Sequence, residues 1–90
     1  MSAEPGNAAA TGVRAVVEVL ARALADRPDA VRVTESQHKH VTLIELFVSP
    51  QDLPKLIGRQ GRTAAALRTL ASTAGEREGK QVMLEIRETR

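Results

Sequence analysis

Leu56-Ile57-Gly58-Arg59-Gln60-Gly61-Arg62-Thr63-Ala64-Ala65-Ala66-Leu67-Arg68 is the stretch that decides how this chain folds. An apolar pair runs into a polar tetrapeptide with a glycine at each end, and a helical pattern starts directly behind it. Those glycines let another backbone come close with no Cβ in the way, and they tolerate the positive φ of a tight turn. The following helix presents unpaired N–H groups and the positive end of its dipole. Lys55, Arg59 and Arg62 surround these fixed donors with mobile positive charge. Residues 58–61 therefore read as a backbone clamp for nucleic-acid phosphates.

Spacing alone carries little weight. With glycine at about 7% of residues, Gly-x-x-Gly arises by chance in roughly four of ten chains of this length. Context strengthens it: residues 53–75 hold Lys55, Arg59, Arg62 and Arg68 and no acid, a local +4 in a chain of net +2. The remainder must therefore sum to −2, so the basic charge sits where the motif is.

Outward from the motif, apolar residues at Val13, Val16, Val17, Leu20, Ala21 and Leu24 predict a first helix with one buried face, ended by Asp26-Arg27-Pro28-Asp29. Arg14, Glu18 and Arg22 form a four-residue charge ladder on its outer side. Val31 and Val33 alternate with Arg32 and Thr34 as a half-buried strand does, and residues 37–40 read as a turn. Residues 41–48 are apolar on both faces, which predicts the central strand of an antiparallel hairpin with Phe47 in the core. Ser49-Pro50-Gln51-Asp52 resembles a helix start, and Pro54 keeps the second helix short. A third helix is expected from Arg62 to Ala74, with Ala64, Leu67, Leu70, Ala71 and Ala74 inward and Gly75 closing it. Val82, Leu84 and Ile86 alternate as the last strand. The pattern predicts an α+β fold in the order αββααβ, with three helices on one face of a three-stranded sheet.

Ninety residues make one domain with a single core, assigned to residues 11–90; residues 1–10 read as a flexible tail. The absence of cysteine excludes disulfides, thiolate metal sites and thiol nucleophiles. His38 and His40 have no evident third partner for a metal. No apolar run reaches the roughly 18 residues of a membrane span, and the first ten residues do not form a signal peptide; the expectation is a cytoplasmic protein that meets no membrane. Acids such as Glu18, Asp26 and Glu35 fall on solvent faces, so no catalytic residue and no cofactor are expected. Phe47 is the sole aromatic residue, which argues against modules that stack bases on rings.

Two helices joined by Gly-x-x-Gly, flanked by strands and preceded by an extra helix and strand, resemble a type II KH domain across residues 13–87. Pro50-Gln51-Asp52-Leu53 followed by Ile57-Gly58-Arg59-Gln60-Gly61-Arg62-Thr63 resembles more narrowly the small bacterial KhpA family. This resemblance implies a single-stranded RNA site of about four nucleotides, with the loop on the backbone and an adjoining apolar groove for bases. On this chain the site maps to Lys55, Ile57, Gly58, Arg59, Gln60, Gly61, Arg62, Thr63 and Ala64. The same resemblance implies self-association or pairing with a larger KhpB (Jag)-type KH protein, and work as an RNA chaperone or post-transcriptional regulator linked to cell-envelope growth and division. The chain departs from the family pattern at Pro54, which shortens the second helix, and at Ala64, where a larger aliphatic residue is usual.

Two other readings fit the residues. A dimerisation scaffold could use the smooth surface of Ala64, Ala65, Ala66 and Ala71, with the glycine loop serving only packing. Single-stranded DNA could replace RNA. Nucleotide-triphosphatase and dinucleotide fingerprints both fail, the first because Leu56 and Arg62 stand where it needs glycine and lysine.

Overall fold

In the computed structural model, which describes residues 12–89, Val13, Val17 and Ala21 are buried at four-residue steps along one stripe of α1 (Val13–Leu24). The tail expected over residues 1–10 lies outside the described residues. On the outer face, Glu18 binds Arg14 at 3.2 Å and Arg22 at 2.9 Å, which is the predicted ladder. A 3-10 turn, Pro28–Ala30, leads through the buried Val31 into β1 (Arg32–His38).

β1 pairs antiparallel with β2 (Val41–Val48), from Arg32 opposite Phe47 to His38 opposite Val41. Gln37 and His38, expected in the turn, belong to the strand; only Lys39 and His40 turn, with Lys39 at φ 57°. Most of β1 is exposed, so no apolar alternation marks its end. Pairing with β2 carries it instead.

β2 is central, and β3 (Gln81–Glu88) runs parallel to it, from Val41 opposite Gln81 to Val48 opposite Glu88. Parallel neighbours need a crossover. Here it consists of α2 (Leu53–Ile57), the glycine turn and α3 (Arg62–Arg77), which pack with α1 on one face of the sheet. The fold is the expected αββααβ. Ile44, Leu46 and Val48 of β2 and Leu84 of β3 form the floor of the core, roofed by Val13, Val17, Leu56, Leu67 and Ala71.

A five-residue helix cannot stand alone, because nucleating a turn costs more than so few hydrogen bonds return. α2 is held by Leu56, whose side chain is fully buried and whose burial contributes about 1.5–3 kcal/mol. Pro54 lies in its first turn, where a missing N–H costs nothing.

Four expectations are corrected by packing. Phe47 lies on the outer face of the sheet, half-buried, because the residues of β2 that point inward are Thr42, Ile44, Leu46 and Val48. Leu24 and Leu70, expected inward, are 42% and 48% exposed. Gly75 does not close α3 but is buried within it. A Cβ there would strike the Val82 side chain and stand 3.1 Å from the Lys80 carbonyl, so this glycine serves close packing of helix on strand. The stop comes at Gly79, φ 70°. Lys80 N–H donates to Gly75 O at 2.8 Å and Gly79 N–H to Glu76 O at 3.1 Å, the paired bonds of a Schellman cap.

Candidate nucleic-acid interface

The glycine turn departs from right-handed backbone at three of its four residues. Gly58 has φ 78° and ψ 172°, Gln60 φ 56° and ψ 26°, and Gly61 φ 73° and ψ 15°. The Gly58 combination is open essentially to glycine alone. A Cβ there would also collide with the Thr63 side chain and lie 2.9 Å from Thr63 N, so the turn folds back tightly on the start of α3. A Cβ on Gly61 meets nothing within 4 Å, so φ alone selects glycine there. The left-handed Gln60 escaped the sequence reading, since nothing about glutamine signals that conformation.

Several loop amides are spent on the turn itself. Gly58 N–H donates to Pro54 O at 2.8 Å, Gly61 N–H to Gly58 O at 3.1 Å, and Arg62 N–H to Arg59 O. The amides of Arg59 and Gln60 do not enter these bonds. Backbone passing from a negative φ at Arg59 into left-handed Gln60 and Gly61 is of the kind that gathers successive N–H groups around an anion. Directly behind them begins the sixteen-residue α3, with no acid in its first turn.

The side chains divide by burial. Arg59, Gln60 and Arg62 are exposed, and among the described residues neither arginine enters an ion pair. Arg62 reaches Gln60 Oε1 at 3.2 Å. Ile57 and Thr63 are half-buried. Ala64 is buried, at 3% exposure. Arg68 donates from Nε to the Leu84 carbonyl at 3.3 Å, tying α3 to β3.

Lys55, three residues before Gly58, pairs with Asp26 at 2.9 Å. The hydrogen bond and the charge of Asp26 hold its ammonium pKa above the ordinary lysine value. A residue missed by the sequence reading arranges this. Asp52 stands at the cap position of α2, yet its side chain makes no cap bond. Its buried carboxylate instead accepts the Asp26 N–H at 3.0 Å and the Arg27 N–H at 2.9 Å, with the Ser49 hydroxyl at 3.3 Å. Desolvation pushes the Asp52 carboxyl up, but the Arg27 and Asp26 amides, Ser49 and the Lys55 charge outweigh it, and the net shift is downward. Asp52 thus pins the chain leaving α1 against the start of α2.

Elsewhere, an apolar groove between α1 and α3 opens beside the loop, lined by Leu20, Ala23, Leu24, Ala66 and Leu70 with Arg62 at one end. No three metal-ligating side chains come together among the described residues. No helix among them is long and apolar enough to cross a membrane.

The family model for the KH domain of KhpA/KhpB matches residues 14–86, from the first turn of α1 to β3 and so across the whole glycine turn. The chain belongs to this family. Its similarity to individual members is high along nearly their full length. It is 46% identical over 78 residues to the RNA-binding protein KhpA of Aquifex aeolicus, covering 87% of this chain and 99% of the relative. With the RNA-binding protein KhpA of Caldanaerobacter subterraneus subsp. tengcongensis it shares 48% identity over 71 residues, 79% of this chain and 95% of the relative. The family is not an enzymatic one, in keeping with the expectation of no catalytic residue. Among solved structures it is similar in fold to Aquifex aeolicus Era bound to GDP.AlF4-, with TM-score 0.61 and 19% identity over 86% of this chain. A structure of Era in complex with MgGDPNP and nucleotides 1506-1542 of 16S ribosomal RNA gives TM-score 0.61 and 20% identity over 84% of this chain. This chain spans only 30% and 29% of those two proteins.

Proposed function

We propose that this chain binds single-stranded RNA, with residues 58–61 on the phosphate backbone. The observation that carries this reading is the turn itself. Its backbone is bent through glycine-only and left-handed conformations, beneath exposed Arg59, Gln60 and Arg62, at the start of a long helix. Arg59, Gln60, Arg62 and Lys55 contact phosphate or sugar, the Arg59 and Gln60 amides supply fixed donors, and Ile57 and Thr63 border the bases. The curated relatives are named RNA-binding proteins, which favours RNA over single-stranded DNA.

On the family resemblance we extend this reading to a cytoplasmic RNA chaperone or post-transcriptional regulator linked to cell-envelope growth and division. The working unit is a homodimer or a pair with a larger KhpB (Jag)-type KH protein, because two short sites joined raise avidity without any new base contact. The exposed Leu24 and Leu70 beside the loop favour such association, and would also suit the scaffolding alternative.

Salt separates these readings. Neutralising three or four phosphates of a single strand gives log K against log salt a slope near −2 to −3, at about −0.7 per contact. Fluorescence anisotropy with a labelled oligoribonucleotide across a salt series measures it. A flat titration supports the scaffold and refutes the phosphate clamp.

A further inference from the structure

We infer that Asp26 acts as a built-in competitor of phosphate at Lys55 and so sets the affinity and salt dependence of the site. The inference rests on the RNA-binding reading and adds a residue that lies outside the loop. Lys55 stands one helical turn before Gly58 on α2, and Asp26 holds it at 2.9 Å. The pair is not an accident of two mobile surface chains. The Asp26 backbone is pinned by the buried Asp52 carboxylate, three residues before Lys55, through an N–H bond of 3.0 Å. Asp26 therefore meets the lysine from a backbone that is held in place. Both side chains stay half or more exposed, so a phosphate oxygen can reach the ammonium, and there it competes with the carboxylate for the same charge. Exposed pairs of this kind are weak and screened by salt, so the exchange tunes binding and does not forbid it.

Asp26→Asn tests this, because asparagine keeps the backbone N–H bond to Asp52 and removes only the charge. With Lys55 released, the slope of log K against log salt steepens by about 0.7, which at 0.1 M salt is an affinity gain of roughly 3- to 5-fold. Removing Lys55 as well, in Asp26→Asn/Lys55→Ala, abolishes that gain. Lys55→Ala costs less affinity in the parent, where Asp26 engages the lysine, than the same change made in Asp26→Asn. Asp29→Asn, on the neighbouring 3-10 turn, alters net charge equally and controls for the general field. An unchanged slope in Asp26→Asn, a gain that persists without Lys55, or an equal gain in Asp29→Asn each overturns the inference. A parent that binds no RNA overturns both this inference and the proposed function. A parent that binds, with a silent Asp26→Asn, overturns the competitor alone.

Discussion

Replacing Arg59 and Gln60 together by Asp lowers affinity for single-stranded RNA by about 100-fold or more and leaves the thermal midpoint within about 4–8 °C of the parent. The first effect follows from placing two carboxylates where phosphates dock, since like charges brought together cost several kcal/mol and each 1.4 kcal/mol is about tenfold in binding. The second follows from exposure. Both side chains face solvent, where substitutions stay within about 0.5 kcal/mol. Aspartate also tolerates the left-handed backbone of position 60 better than most residues. Anisotropy and thermal unfolding on the same preparation check both halves. Parent-like RNA affinity in this variant would remove the loop from the site.

Gly58→Ala produces the other large effect, and through a different link, since it acts on conformation and not on charge. Its φ of 78° and ψ of 172° lie outside the range of an L side chain, a cost of about 1–3 kcal/mol, and its Cβ would collide with Thr63. The expected loss is roughly 2–3 kcal/mol, or about 10–20 °C in the thermal midpoint at 4–8 °C per kcal/mol, together with weaker RNA binding as the turn shifts. Gly61→Asn is the contrast: space is open there and φ is 73°, so asparagine fits with a small loss of stability. Equal effects at the two positions would mean that contact with Thr63 does not shape the loop.

Most of this fold was legible because its elements bury one face each. The stripe Val13, Val17, Ala21 and the alternation Val82, Leu84, Ile86 have no other use, and together with the apolar run of β2 they leave few topologies. The glycine turn was legible because its two glycines, apolar entry and acid-free flank coincide. What escaped depended on distance in three dimensions. Gly75 reads as a stop in any local window, and only the approach of Val82 explains it as a packing site. Asp52 is in the same way only part of a helix start, Ser49-Pro50-Gln51-Asp52, yet its partners are amides 25 and 26 residues earlier. Lys55 was placed in the site by charge, while the Asp26 that engages it looked like a helix end. Leu70 has the spacing of an inward residue but is half exposed, lining with Leu20 and Leu24 the open groove between α1 and α3.

The phosphate clamp is tested most directly by following backbone amides in an isotope-labelled sample as a short single-stranded oligoribonucleotide is added. Amides of residues 58–61 and of the first turn of α3 are expected to shift progressively and saturably, with Arg59 and Gln60 among the largest, while Thr34 and Gln37 on the far edge strand stay still. Shifts confined to the outer sheet face around Leu43 and Met83, or to the groove of Leu24 and Leu70, with the loop amides silent, would contradict it.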